Sequence, residues 1–412
     1  MADEKWRTLP LGECLTLQRG FDLSAAERKP GAVPVVSSSG ITGYHATAPV
    51  KGPGVVTGRY GTIGEVFYVE QDFWPLNTTL WVKDFKGNDP KFASFLLRTI
   101  DFRSCSDKSS VPGVNRNDLH RILVDLPPPR QQREIADVLS AFDDKIELNR
   151  RMNQTLESMA RAIFRSWFVD FDPVVARAEG RQPFGMSAEV AGLFPSEFRE
   201  SELGVIPKGW TFESIGDRAS KIQYGYTQSA SKLRVGPKFL RITDIQGGRV
   251  DWGAVPYCEC SERDFETYRI CAGDILVART GASTGENIYI ADAPVAVFAS
   301  YLVRVQFANR GVARVVGQFM RSEEYFNYIE GSIGGSAQPN AGAPVLTGAR
   351  LAYPPADIAE AFQRLVESFD LQRLRNMAES VILASLRDTL LPKLMSGELR
   401  VRDAEKLAGA HA

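Results

Sequence analysis

Histidine and cysteine are scarce in this chain. It has three histidines (His45, His120, His411) and five cysteines (Cys14, Cys105, Cys258, Cys260, Cys271) in 412 residues. No two cysteines have C-x-x-C spacing and the histidines are scattered, so the ligand pattern of a metal site is missing and none is predicted. Long apolar runs are missing too. None approaches the ~20 residues of a membrane span, and the opening MADEKWRTLP lacks the charged and apolar regions of a secretory signal. The expectation is a soluble, cytoplasmic protein that does not engage a membrane. Neither charge sign is in excess: the net charge is −1. A generally basic nucleic-acid binder gains no support from that balance, so a positive field has to be local or come from a partner.

Signatures of catalysis are also lacking. GASTGEN (281–287) has glycines but no Gly-Lys-Ser/Thr ending of a phosphate loop. The glycine-rich GPGVVTGRYGTIG (52–64) lacks dinucleotide-fold spacing and sits among β-type runs, so its glycines read as turns. DLPPP (125–129) only partly matches the acidic-Pro-Pro-aromatic motif of amino-methyltransferases: Leu126 interrupts it and no aromatic follows. Asp143, Asp144 and Lys145 lie on a predicted helix instead of a strand-borne acidic cluster. No catalytic residue is predicted.

What is present is a long helix free of Pro and Gly in mid-chain, AFDDKIELNRRMNQTLESMARAIFRSWF (141–168). Ile135, Val138, Phe142, Asn149, Met152, Leu156, Met159 and Ile163 recur at steps of three, four or seven, the pattern of a narrow seam, with a break at Lys145. Asn149 is a polar seam residue of the kind that fixes register. Such a helix needs a partner helix.

The partner is in the same chain. At an offset of 227, Pro112 falls on Pro339, Leu119 on Leu346, Phe142 on Phe369, Asp143 on Asp370, Asn149 on Asn376 and Leu156 on Leu383, without a gap. Phe362, Leu365, Phe369, Asn376, Leu383, Leu386 and Leu390 form the matching seam, with Gln372 and Glu379 as breaks. The preceding regions repeat more loosely: Trp6 matches Trp210 at an offset of 204, and GVVTGRYG (54–61) matches DILVARTG (274–281) at 220. One helix carries the chain from the first copy to the second and the other must return, so the pair is antiparallel and the copies are related by a pseudo-twofold.

Each copy opens with short β-branched or aromatic runs between Gly, Asn and Asp, interrupted by helical segments near 90–102 and 312–330. The expected fold is α+β, with two mainly β modules joined by two long helices in an antiparallel coiled coil. The boundaries are a first module at 1–126, a long helix at 127–169, a linker at 170–204, a second module at 205–353, a second long helix at 354–398 and a tail at 399–412. The linker assignment rests on several Gly and Pro and no sustained periodicity.

KIELNRRMNQTLESMARAIFRSWFVDFDPV, the restart SELGVIPKGW and the ending LRDTLLPKLMSGELRV resemble the central and C-terminal regions of type I restriction-modification specificity subunits. That resemblance spans nearly the whole chain. It implies two target-recognition domains, each followed by a long helix, and a non-catalytic chain that reads an asymmetric bipartite target in double-stranded DNA. It further implies two DNA methyltransferase (modification) subunits and two motor/nuclease (restriction) subunits as partners. S-adenosylmethionine, ATP and Mg would be used by those partners, and no cofactor by this chain. The second helix has Ala378, Val381 and Ala384 where the first has Arg151, Gln154 and Glu157, so the two need not make equivalent contacts.

Base reading needs forked donors and amides, and phosphate binding needs hydroxyls and basic side chains. In the first copy the candidates are Ser37, Ser39, Thr42, Tyr44, Arg59, Thr62, Lys108, Ser109, Ser110, Asn115 and Arg116. In the second they are Tyr226, Gln228, Lys232, Arg241, Gln246, Arg249, Arg279, Ser283, Ser336, Gln338 and Asn340. Arg59 and Arg279 occupy corresponding positions and serve equally well as structural arginines. Two rival readings are a duplicated coiled-coil interaction scaffold that does not bind DNA, which duplex binding would exclude, and a self-sufficient methyltransferase or nuclease, which cofactor binding by the isolated chain would revive.

Overall fold

The computed structural model describes residues 6–105, 113–202, 204–333 and 340–409. It falls into two compact units, Met1–Arg151 with Asn376–Ala412, and Met152–Arg375. Each unit holds one β module and one half of each of two 40-residue helices, Pro129–Phe168 and Ala356–Met395.

The modules repeat in their main sheets, and the first adds a strand, Gly40–His45, antiparallel to Val33–Ser37. In the first unit a four-stranded antiparallel sheet runs in the order Thr16–Arg19, Thr79–Asp84, Gly54–Gly58, Val66–Val69. In the second the order is Lys221–Tyr224, Leu302–Gln306, Ile275–Ala278, Asn287–Tyr289. A parallel pair follows in each: Val33–Ser37 with Trp74–Pro75, and Lys238–Leu240 with Ala296–Phe298. Each module closes on itself by an antiparallel pair joining its first strand to its last, Arg7–Pro10 with Leu123–Leu126 and Thr211–Ser214 with Arg350–Tyr353. Close backbone approach explains one glycine in each copy. A side chain at Gly20 would lie 2.2 Å from the Leu76 carbonyl, and one at Gly225 2.2 Å from that of Ala299.

The helical segments expected within the modules are Pro90–Arg98, and Arg310–Phe319 with Glu323–Ile333. Asp89 starts the first by accepting from the Phe92 amide at 2.9 Å, with Pro90 at the first helical position; Asn309 accepts from the Val312 amide at 3.1 Å. Residues 170–204 carry more order than a linker. Helices Asp172–Ala178 and Ala188–Leu193 and the hairpin Phe198–Ser201/Gly204–Pro207 occupy them, and Val174 and Phe194 are buried in the second unit's core. These elements are too short to show periodicity. Residues 399–412 include a helix, Val401–Gly409, with Ala404 buried in the first unit.

Within the first unit, Ile135, Leu139 and Phe142 share a core with Leu390, Leu394 and Met395; within the second, Phe164 and Trp167 share one with Ile358, Phe362 and Val366. The start of one helix meets the end of the other in both, as an antiparallel coiled coil requires. The Asn149 side chain donates to the Asn376 carbonyl at 3.3 Å and to Glu379 at 2.7 Å, so the two seam asparagines do meet.

One half of the expected seam is corrected. Ile135, Phe142, Asn149, Leu156 and Ile163 are buried or half-buried, but their companions lie one residue later than predicted. Leu139, Ile146, Asn153, Ala160 and Trp167 take those places, while Val138 is only half-buried and Met152 and Met159 are 37% and 43% exposed. Lys145 is therefore no break; it lies beside the seam, 3.4 Å from Glu379. In the second helix Phe362, Phe369, Asn376, Leu383 and Leu390 hold, Val366 replaces the 37%-exposed Leu365, Leu386 is half-buried beside Arg387, and Arg373, Ser380 and Leu394 complete the row. Steps of three-then-four and four-then-three share every seventh residue. Which flank is covered depends on where the partner helix lies, and polar Asn153 and small Ala160 disguise the true row.

Candidate nucleic-acid interface

Arg59 leaves the end of strand Gly54–Gly58. Its amide donates to the Thr78 carbonyl at 2.9 Å, its carbonyl accepts from Val114 at 3.1 Å, and its guanidinium stands 4.6 Å from the Tyr60 ring centre. Arg279 leaves the end of Ile275–Ala278 in the same frame: its amide donates to Tyr301 at 3.0 Å and its carbonyl accepts from Ala341 at 2.8 Å. The backbone settings match, but the side-chain surroundings differ. Arg59 joins Arg19, Leu80, Asn115 and Arg116 around a cleft of about 270 Å³. Arg279 lies over Tyr224, 4.9 Å from the ring centre, and donates to Asn340 at 3.4 Å. The Tyr224 hydroxyl in turn accepts from the Ala343 amide at 3.0 Å.

Arg19 and Tyr224 were not among the candidates. LQRG (17–20) and IQYG (222–225) align at an offset of 205, and that match, ending in the two tightly packed glycines, is the signal that would have found them. An arginine in one copy thus corresponds to a tyrosine in the other at the same strand end. Arg59 and Arg116 beside Arg19, which also pairs with Asp22 at 3.5 Å, suit phosphate oxygens or the O6/N7 edge of guanine; an arginine backed by a tyrosine and an amide offers a different donor set.

The remaining candidates divide. Ser37 is buried and bonds to Ser39 and the Gly40 carbonyl, so it shapes its turn, whereas Thr42 and Tyr44 on the next strand and Thr62 after Arg59 are exposed. Asn115 is exposed and caps Arg116–Leu119 by accepting from Asn117 at 3.0 Å. Gln228, Lys232 and Gln246 are exposed, Tyr226 stacks 5.2 Å from Tyr268, and Ser283 is half-buried in a turn. Two arginines are committed to carboxylates: Arg241 forks onto Asp244 at 2.8 and 2.9 Å, and Arg249 donates to Glu157 at 2.7 Å. Lys108, Ser109, Ser110, Ser336 and Gln338 lie outside the described residues.

Glu157 is the most heavily paired carboxylate among the described residues. Arg249 and Arg321 approach it at 2.7 Å, Arg373 at 3.8 Å and Arg161 at 3.9 Å. Burial alone would raise its pKa; the Arg249 hydrogen bond and the Arg321 and Arg373 charges outweigh burial and hold it below the ordinary carboxylate value. Burial pushes the Cys258 thiol up to about 12, which makes it a poor nucleophile. Among the described residues no helix is long and apolar enough to cross a membrane.

Residues 3–158 match the family described as type I restriction modification DNA specificity domain. The type I restriction enzyme HindI specificity subunit of Haemophilus influenzae is 25% identical over 398 residues, covering 82% of this chain and 84% of that one. The MjaIX specificity subunit of Methanocaldococcus jannaschii is 26% identical over 314 residues, covering 73% and 66%. The crystal structure of a type I restriction-modification system S subunit from M. genitalium superposes with a TM-score of 0.58 over 95% of this chain and 96% of that one, at 14% identity, a likeness of fold. Over residues 3–158 by family and over most of its length by relatives, the chain is similar to type I restriction-modification specificity subunits.

Proposed function

We propose that the chain reads an asymmetric, two-part sequence in double-stranded DNA, one part by each module, and carries no catalysis of its own. The carrying observation is that Arg59 and Arg279 occupy the same backbone frame in two modules of the same topology but stand among different side chains. Equivalent frames present donors to equivalent places on a duplex; different neighbours select different bases. In this reading two modification subunits transfer methyl groups from S-adenosylmethionine to adenine, two restriction subunits supply Mg- and ATP-dependent translocation and cleavage, and this chain tells them where.

Adenine-methylation mapping in a host that expresses the chain with its neighbouring modification subunit tests the reading. The expected motif is two unlike specific blocks separated by a fixed run of unspecified bases. Arg59→Ala should lower methylation through one block only and Arg279→Ala through the other, each by about 1–3 kcal/mol if the lost contact is bidentate to a base. An arginine that holds only phosphate would weaken all sequences alike and flatten the salt dependence. A single contiguous motif, or methyl transfer by this chain purified free of other subunits, defeats the reading.

A further inference from the structure

Asp143 and Asp370 are repeat equivalents on the two long helices, and each gives one oxygen to an arginine of its module. One Asp143 oxygen accepts from Arg98, on the module helix Pro90–Arg98, at 2.7 Å; the other accepts from Arg387 on the second long helix at 2.5 Å. One Asp370 oxygen lies 2.6 Å from Arg314, on the module helix Arg310–Phe319; the other lies 3.5 Å from Arg373, which also approaches Glu157 on the first long helix. Asp143 thus joins its module directly to both long helices, whereas Asp370 joins its module to the second long helix and reaches the first through Arg373 and Glu157.

The contact is not a simple echo of duplication. The capping residues Asp89 and Asn309 align the two module helices, and on that alignment Arg98 falls on Gln318 and Arg314 on Ser94. Arginines one helical turn apart reach the same aspartate. Both are also stacked within their module, Arg98 at 4.8 Å from the Phe95 ring centre and Arg314 at 4.5 Å from that of Tyr289. The pairs are shielded from water: Arg98 and Asp143 are 26% and 27% exposed, Arg314 and Asp370 only 7% and 12%. A shielded, charge-assisted contact holds the module arginine close to the helix carboxylate.

We propose that Asp143 and Asp370 are positioning residues that fix the angle of each module on its helix pair and thereby set the spacing between the two DNA blocks that the chain accepts. The proposal rests on the two-block reading above. Neither residue is assigned a contact with DNA, so the bases within a block should be read as before when the tie is cut.

The test uses the chain assembled with its modification subunits and duplexes that carry the mapped target with its spacer unchanged, one base pair longer or one shorter. Arg98→Gln or Asp143→Asn, and Arg314→Gln or Asp370→Asn, should narrow the preference for the natural spacer by about tenfold, the scale of coupling between contacting residues, while point changes within either block stay as harmful as in the wild type. Arg98→Lys should restore part of the preference. Leu390→Ala, a seam truncation, should lower stability and leave the spacer preference as it was. Variants that fold, melt near the wild type and lose rate equally on all three spacers overturn the proposal with the two-block reading intact. A wild-type assembly indifferent to spacer length overturns that reading and the positioning role with it.

Discussion

At the residue scale, the asymmetry between the two helices was legible but its purpose was not. Glu157 stands out in the sequence because its repeat equivalent is Ala384, yet two of its partners, Arg249 and Arg321, are 92 and 164 residues away and nothing in a local pattern links them. The same blindness made Arg249 and Arg241 look like free forks for DNA when both are held by carboxylates. Glu157→Gln removes the charge that Arg249, Arg321 and Arg373 share and should destabilise the second unit by about 3 kcal/mol at neutral pH, the usual scale for unpairing buried charge. The folded carboxyl titrates below its ordinary value of 4.5, so the stabilisation is fully present above pH 4.5 and is lost as pH falls through the folded pKa. Thermal melts should show a gap between wild type and variant that closes as the solution is acidified below that value. A gap that stays constant through the acid range would mean that shape, not charge, is what Glu157 contributes.

At the element scale, every seventh seam residue could be read, because burial there is set by the helix itself. The companions could not, because the covered flank is chosen by the partner helix: Leu139 and Val366 are buried where Val138 and Leu365 were expected. Arg373 and Arg387 occupy inner positions equivalent to Ile146 and Ala160, which no apolar pattern would have allowed without Glu157 and Asp143 to receive them. A correct register makes the helices testable as a spacer. Deleting residues 149–155 and 376–382 together removes one heptad from each helix, keeps the seam in phase and shortens each by roughly 10 Å at 1.5 Å per residue. That is about three base pairs of duplex at ~3.4 Å each. The mapped motif should keep both blocks and lose about three unspecified bases between them. Undiminished methylation of the original spacing by the shortened protein would show that the helices do not measure the target.

At the scale of the whole molecule, the duplication was legible wherever length had been kept. The ungapped offset of 227 through the helices contrasts with 204 and 220 in the modules, and the structure shows why drift is tolerated there: each module is closed by its own first and last strands, so insertions between them leave the ends together. The short helices of residues 170–204 escaped because their order comes from packing, with Val174 and Phe194 seated in the second unit, and not from a repeating pattern. Closure also defines where a module can be cut. Arg7 pairs with Leu126, so residues 7–126 can be exchanged as a block, keeping Trp6, whose indole donates to Gln131 at 2.9 Å, with the helix it touches. The incoming block must present apolar residues where Phe92 and Leu96 now share a core with Ile135 and Leu139. Given that, replacing residues 7–126 by the equivalent block of a similar specificity subunit should change one part of the methylated motif and leave the other part as it was, because Arg279, Tyr224 and Asn340 are untouched. The methylome of the exchanged protein decides the matter: a new first block beside the old second block is the expected result. Alteration of both blocks in a protein that still assembles would mean that the modules read the duplex jointly and that neither owns a half of the target.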